Sequence, residues 1–274
     1  VEKTAAVTGA AAETTEVVVP ESVSYKDATY QVKSIGESAF QNNAVIVSAT
    51  IPEGVERIEA YAFMGTANLK TVSMPETLKY VGHDAFNGSG LTSVTVMAGV
   101  EYGSTVFNNC KSLTDVTVED GVTIITSSMF RLTGFETLTL PDSVVTIDDG
   151  AFENAALASV NLPSSLEEIG ANAFYGANLK TIDFSTAPKL KLIDYRAFMG
   201  TGITEVTLPY VCELGSDVFG NNVVNVTVAV AGEITSLDFL GGTNGKLQSL
   251  TLTGEKETWI ADGKNDRDAL LSPD

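Results

Sequence analysis

Apolar and polar positions alternate along this chain in a long, regular phase. Phenylalanine marks it most clearly, at Phe40, Phe63, Phe86, Phe107, Phe130, Phe152, Phe174, Phe198, Phe219 and Phe239, with intervals of 20 to 24 residues. Ten of the twelve phenylalanines obey the period, only Phe135 and Phe184 standing outside it, and six of the ten follow an alanine. Ahead of many of them runs a Leu-x-x-Val-x-Leu pattern, as in Leu69, Val72, Met74 and Leu157, Val160, Leu162, followed by proline at Pro52, Pro75, Pro141, Pro163 and Pro209. The copies Leu91, Val94, Val96 and Leu113, Val116, Val118 lack the proline. Apolar residues two apart share one face of an extended strand. Proline, with no N–H for a neighbouring ladder, ends that strand. A second apolar pair such as Leu166 and Ile169 predicts another short strand or bend. Gly36, Gly82, Gly170 and Gly215 follow it and are expected to adopt backbone angles closed to other residues. Ala-Phe then turns the chain, and a small residue such as Thr66, Ser89, Cys110 or Ala155 comes three positions later. One such unit cannot bury its own ring, so successive units must stack into a continuous core.

The unit Leu157-Ala-Ser-Val160-Asn-Leu162-Pro163, continued by Leu166-Glu-Glu-Ile169-Gly170-Ala-Asn-Ala173-Phe174, resembles the BspA-type leucine-rich repeat. Cys110 falls where that family often carries cysteine. The resemblance implies a leucine-rich-repeat solenoid, a right-handed superhelix of ~10–11 coils of ~22–23 residues with short parallel β-strands and short helical turns. It also implies a secreted or surface-attached bacterial protein, some relatives being implicated in adhesion to host proteins. The expected organisation is an N-terminal linker at 1–13, the repeat domain at 14–254, and a C-terminal cap or tail at 255–274. Tyr25 to Tyr30 inserts polar residues, as a first capping coil would, and Gly241 to Gly245 lengthens the last loop.

Charge narrows the partners. The formal net charge is −19 over 274 residues, although only 19% of residues are charged and 44% are hydrophobic. That much apolar content excludes disorder. Nucleic-acid binding is expected to be absent, because phosphates demand a basic footprint, and no run of 18 apolar residues predicts a membrane span. Residues 1–12 lack the basic and long apolar segments of a leader. By itself this leaves open a cytosolic protein or one read from beyond a cleaved leader; the resemblance favours an extracellular or cell-surface location in a bacterium.

Chemistry is sparse. His83 is the sole histidine, and Cys110 and Cys212 are the only cysteines, too few for a Cys/His zinc site. Four to five coils at one strand spacing each would separate the cysteines by about 20 Å, beyond disulfide reach. His83 beside Asp84 sits at variable positions and is read as a solvated loop residue. Pairs such as Asp148-Asp149 and Glu167-Glu168 lie in variable turns without the spacing of a metal loop. No nucleotide, zinc-protease or serine-hydrolase motif is present, so no enzyme activity, cofactor, metal or catalytic residue is expected. The informative surface is the outward row of the Val-x-Leu strands, with Thr95, Thr117, Thr139, Asn161, Asp183 and Thr207 as candidate binding residues. Stacked threonines are also good strand chemistry in their own right. The rows lack aromatic and Arg anchors, which Tyr61, Tyr80, Tyr102, Tyr195 or Tyr210 on flanking turns would supply. The expected function is non-catalytic binding of an extracellular protein or glycoprotein partner with basic patches, with host adhesion as one form of it. The alternatives are a structural spacer of a larger envelope protein and, behind it, a glycan-binding protein.

Overall fold

The computed structural model describes residues 3–208, 212–229 and 248–253. Pro209, Tyr210, Phe239, the glycine-rich loop at 241–245 and the segment 255–274 lie outside the described residues. The fold is a parallel β-solenoid of about nine turns with almost no helix. The expected count of ten to eleven included the coil of Phe239.

Two compact units divide the chain, one with residues up to Val122 plus Thr126–Phe135, the other with Thr123–Ile125 plus the described residues from Glu136 onward. The first contains β1 (Thr4–Val7), β2 (Glu16–Val18), β3 (Ser22–Tyr25), β4 (Ala28–Ile35), β5 (Ser48–Thr50) and β6 (Arg57–Ile58). It continues with β7 (Thr71–Ser73), β8 (Tyr80–Val81), β9 (Ser93–Val96), β10 (Glu101–Tyr102) and β11 (Asp115–Val118). The second contains β12 (Ile124–Ile125), β13 (Thr137–Leu138), β14 (Thr146–Ile147), β15 (Ser159–Val160) and β16 (Glu168–Ile169). After these come β17 (Leu192–Ile193), β18 (Glu205–Leu208), β19 (Glu213–Leu214), β20 (Asn225–Ala229) and β21 (Ser249–Thr253). Two 3-10 turns, Phe184–Thr186 and Gly220–Asn222, complete the elements among the described residues.

Each regular turn has two short strands. The Val-x-Leu strands form the ladders β2-β5-β7 and β9-β11 in the first unit, and β13-β15 and β18-β20-β21 in the second. The second apolar pairs form β4-β6-β8-β10 in the first and β12-β14-β16-β17-β19 in the second. Proline follows several of these strands, and β18 runs its full four residues up to Pro209. Where Leu-Pro or Met-Pro follows, β7, β13 and β15 stop short of it, whereas β9 and β11, without proline, run to four residues. The polar insert at Tyr25 to Tyr30 is a hairpin: β3 pairs antiparallel with β4, and Lys26 and Asp27 both take positive φ (45° and 58°), as a two-residue type I′ turn requires.

The glycines after the second strand depart from expectation. None of Gly36, Gly82, Gly170 and Gly215 has positive φ; their role is proximity. A Cβ on Gly215 would lie 2.5 Å from the Tyr195 amide nitrogen, one on Gly170 2.8 Å from that of Asp149, and one on Gly82 would strike Ala60. Adjacent turns pass too closely there for any side chain. Left-handed backbone instead flanks each repeat phenylalanine from Phe40 to Phe198 on both sides and precedes Phe219. Two positions before it come Ser38, Tyr61, Asp84, Thr105, Ser128, Gly150, Asn172, Arg196 and Asp217, with φ between 53° and 63°. Two positions after it come Asn42, Gly65, Gly88, Asn109, Leu132, Asn154, Gly176 and Gly200, also positive. This alternation aims every second N–H at the next turn. Ser38, Phe40 and Asn42 donate to Ala60, Ala62 and Met64 carbonyls at 3.0, 2.7 and 2.7 Å, while Ala39, Gln41 and Asn43 close local turns. Such a segment satisfies its buried amides without regular secondary structure.

The rings meet at this segment. All nine described repeat phenylalanines are buried. In the first unit Phe40, Phe63, Phe86, Phe107 and Phe130 stack in sequence at 4.9 to 5.7 Å. In the second, Phe152, Phe174, Phe198 and Phe219 do so at 5.0 to 5.8 Å. Phe135 and Phe184, outside the period, are also core residues: they occupy the first and last apolar positions of their Leu-x-x-Val-x-Leu copies and meet Phe130 and Phe198 edge-on. The small slot three residues on is self-satisfied, because the hydroxyls of Thr66, Thr133 and Thr201 donate to the carbonyls of Phe63, Phe130 and Phe198 at 2.6 to 2.8 Å. In the Cys110 slot the thiol donates to the Phe86 carbonyl at 3.1 Å.

Candidate functional site

With one face of each Val-x-Leu strand committed to the core, the alternate residues point out. Thr95, Thr117, Thr139, Asn161, Asp183 and Thr207 are all exposed. Thr95 pairs in register with Thr117 on β9 and β11, and Thr207 with Thr227 and Thr251 on β18, β20 and β21. Two of the six have structural duties. Asn161 clamps the neighbouring turn, its Oδ1 accepting from the Leu140 N–H at 2.7 Å and its Nδ2 donating to the Leu140 carbonyl at 2.9 Å. Asp183 caps the Phe184–Thr186 turn, accepting from the Ser185 hydroxyl and N–H at 2.6 and 2.9 Å. These bonds, the hydroxyl first, hold its carboxyl below the usual range.

One feature of this face escaped the sequence reading. Although β7 and β9 lie on successive turns, they belong to different sheets: one ladder ends at β7, and β9 and β11 form another. Beside the break lies a cavity of about 250 Å³, lined by Val72, Met74, Leu91, Ser93, Val94, Thr95, Met97 and Glu119. The break coincides with the switch from the proline-ended copy at Met74-Pro75 to the two copies without proline, which was the available signal. Tyr102 accepts the N–H of the lining residue Met97 on its hydroxyl at 2.9 Å, and burial pushes its phenol up to about 12. Glu119 accepts the Ala98 N–H on Oε2 at 2.9 Å.

Other candidates resolve into local roles. Asp149 Oδ1 accepts the Ala171 N–H of the next turn at 2.8 Å, and Asp142 accepts that of Ser164 at 2.9 Å, which holds the Asp142 carboxyl below its ordinary value. Glu53 accepts from the N–H groups of Glu76 and Thr77 at 3.0 and 3.3 Å. These acids therefore tie one turn to the next. His83 lies edge-on to Tyr61 with ring centroids 4.5 Å apart and has Asp84 at 3.3 Å. Tyr80 carries the Arg57 guanidinium over its ring at 4.0 Å, and Tyr195 that of Arg196 at 4.6 Å. Cys110 and Cys212 are free thiols, each pushed up to about 11 by burial. Among the described residues no group of His, Cys, Asp or Glu is arranged to hold a metal ion, and no helix is long and apolar enough to cross a membrane.

Comparison with known proteins agrees with this architecture. A leucine-rich repeat protein from Bacteroides ovatus superposes with a TM-score of 0.59 at 23% identity, covering 87% of this chain and 63% of that one. The chain thus spans less than two thirds of that protein's length. The leucine-rich repeat protein of T. pallidum gives a TM-score of 0.54 at 28% identity, over 59% of this chain and 76% of its own. No curated protein matches. The family model for the BspA type leucine rich repeat region matches residues 33–157 and 101–225, with six copies. The phenylalanine stack, the paired short strands and that match together place the chain in the BspA-type leucine-rich repeat family.

Proposed function

We propose that this protein is a non-catalytic, extracellular or surface-attached bacterial protein that binds a protein or glycoprotein partner through the outward strand face. The observation that carries the reading is the face itself: in-register exposed hydroxyls such as Thr95 beside Thr117, mounted on strands whose other face is sealed in the core. A rigid ladder presents donors and acceptors at the strand spacing with little ordering cost, which suits an extended partner. The absence of aromatic anchors from the rows points to distributed, multivalent contact rather than one tight spot. The charge of −19 favours partners with basic patches and makes association salt-dependent. Adhesion to host proteins, which the resemblance implies for some relatives, is one form this function would take.

The test is surface plasmon resonance of the whole chain over immobilised matrix proteins and basic glycoproteins at 0.05 and 0.5 M salt. Binding that weakens at high salt, and falls again when Thr95 and Thr117 are both changed to Lys, is expected. Failure to bind any of the panel would favour the spacer role instead. Turnover of a glycan or peptide substrate would overturn the non-catalytic reading.

A further inference from the structure

We infer that the cavity beside the break between β7 and β9 is a pocket for one lysine side chain of an extended partner segment; this rests on the proposed binding face and gives the partner its chemistry. The walls define the lower part of the ligand. Val72, Met74, Leu91, Val94 and Met97 make an apolar slot, and the two methionines adapt to a flexible stem. Leu91 and Val94 are buried, whereas Val72, Met74 and Met97 are partly open, so the slot can be entered from solvent. The polar lining defines the head. Ser93, Thr95 and Glu119 supply two hydroxyls and one carboxylate, and no cation among the described residues lines the cavity.

Each class of side chain fares differently there. A purely apolar group would shield the Glu119 carboxylate from water without replacing its hydrogen bonds. An acidic group would meet a like charge. Lysine lays its methylene stem along the apolar wall and brings three donors to the polar end. Arginine pairs best by a two-pronged contact with both carboxylate oxygens, and the Ala98 N–H already takes one of the two lone pairs of Glu119 Oε2, which weakens that second prong. Selectivity for a compact ammonium follows. The backbone of the partner would run along the threonine row, where Thr95 belongs both to the row and to the pocket.

The probe is Ac-Thr-Thr-Lys-Thr-Thr-NH2, titrated into the whole protein carrying 13C-methyl methionine and followed by NMR. The Met74 and Met97 methyl signals, assigned through single Met→Leu variants, should shift saturably. Norleucine in place of the lysine should bind about tenfold more weakly, because only the charge-assisted bonds are lost. Arginine should also bind more weakly than lysine. Glu119→Gln keeps an oxygen for Ala98 and should leave the melting temperature unchanged while weakening the lysine peptide about tenfold. Unmoved methionine signals, equal affinity for norleucine, tighter binding of arginine, or indifference to Glu119→Gln would each overturn the pocket. Binding to the protein panel with silent methionines would remove the pocket and leave the wider function standing; saturable peptide binding with no macromolecular partner would do the reverse.

Discussion

Phe174→Ala is the sharpest perturbation of this fold. Its ring is fully buried and lies between Phe152 at 5.2 Å and Phe198 at 5.0 Å, tilted by 13° and 7°. Emptying such a site costs about 3–5 kcal/mol, the upper end applying where the surroundings cannot collapse. Collapse is resisted here, because the N–H groups of Phe174 and its neighbours at 172 and 176 are bonded to the turn of Phe198. Two ring contacts, each worth about 0.5–1.5 kcal/mol, vanish together, so about 4–5 kcal/mol is expected. Among the described residues Phe40 has a single ring neighbour, Phe63 at 4.9 Å, so Phe40→Ala should cost about 1 kcal/mol less. At about 2–4 °C per kcal/mol, Phe174→Ala should lower the melting temperature by roughly 8–20 °C. The assay is far-UV circular dichroism, with urea titration for the free energy and hydrogen exchange to place the loss. Because a repeat array is coupled mainly through nearest neighbours, lost protection should centre on the turns of Phe152 and Phe198. A shift under about 3 °C, or protection lost evenly along the chain, would refute the reasoning.

Gly82→Ala should destabilise by several kcal/mol although φ is ordinary there, since its Cβ would collide with the Ala60 backbone; a melting temperature within 1 °C of the parent would show that the turns can separate. Cys110 should resist thiol reagents in the folded protein at neutral pH, its pKa lying near 11, and labelling as fast as in urea would contradict its burial. Cys110, Cys212 and Tyr102 are acids whose folded pKa values are raised, so their contribution is complete below pH about 9 and fades as pH climbs toward 11 to 12; urea midpoints between pH 7 and 11 should fall accordingly. Asp142 and Asp183 have lowered folded pKa values, so their contribution holds above pH about 4 and is lost on further acidification; Asp142→Asn should flatten that part of the acid profile.

The periodic features of the fold were legible because they repeat. Phenylalanine every 20 to 24 residues, alternating apolar pairs and the punctuating prolines prescribe two short strands and one buried ring per turn, and the stack from Phe40 to Phe130 and from Phe152 to Phe219 follows. The exposure of Thr95, Thr117 and Thr207 was equally readable, since residues one apart on a strand face opposite ways. Contacts between turns were not legible. Gly82 and Gly215 looked like residues chosen for unusual backbone angles, yet the neighbouring turn requires them, and how close it passes is decided by the stacking of the turns. Phe135 and Phe184 looked like exceptions, but a ring can take a leucine position when the space beside Phe130 or Phe198 admits it edge-on. Asn161 and Asp183 shared a row with the threonines in sequence, while in space one clamps the backbone of Leu140 and the other caps a turn. The cavity of Met74 and Met97 likewise lies where one ladder ends at β7 and another holds β9, a feature of neighbouring turns that neither repeat carries alone.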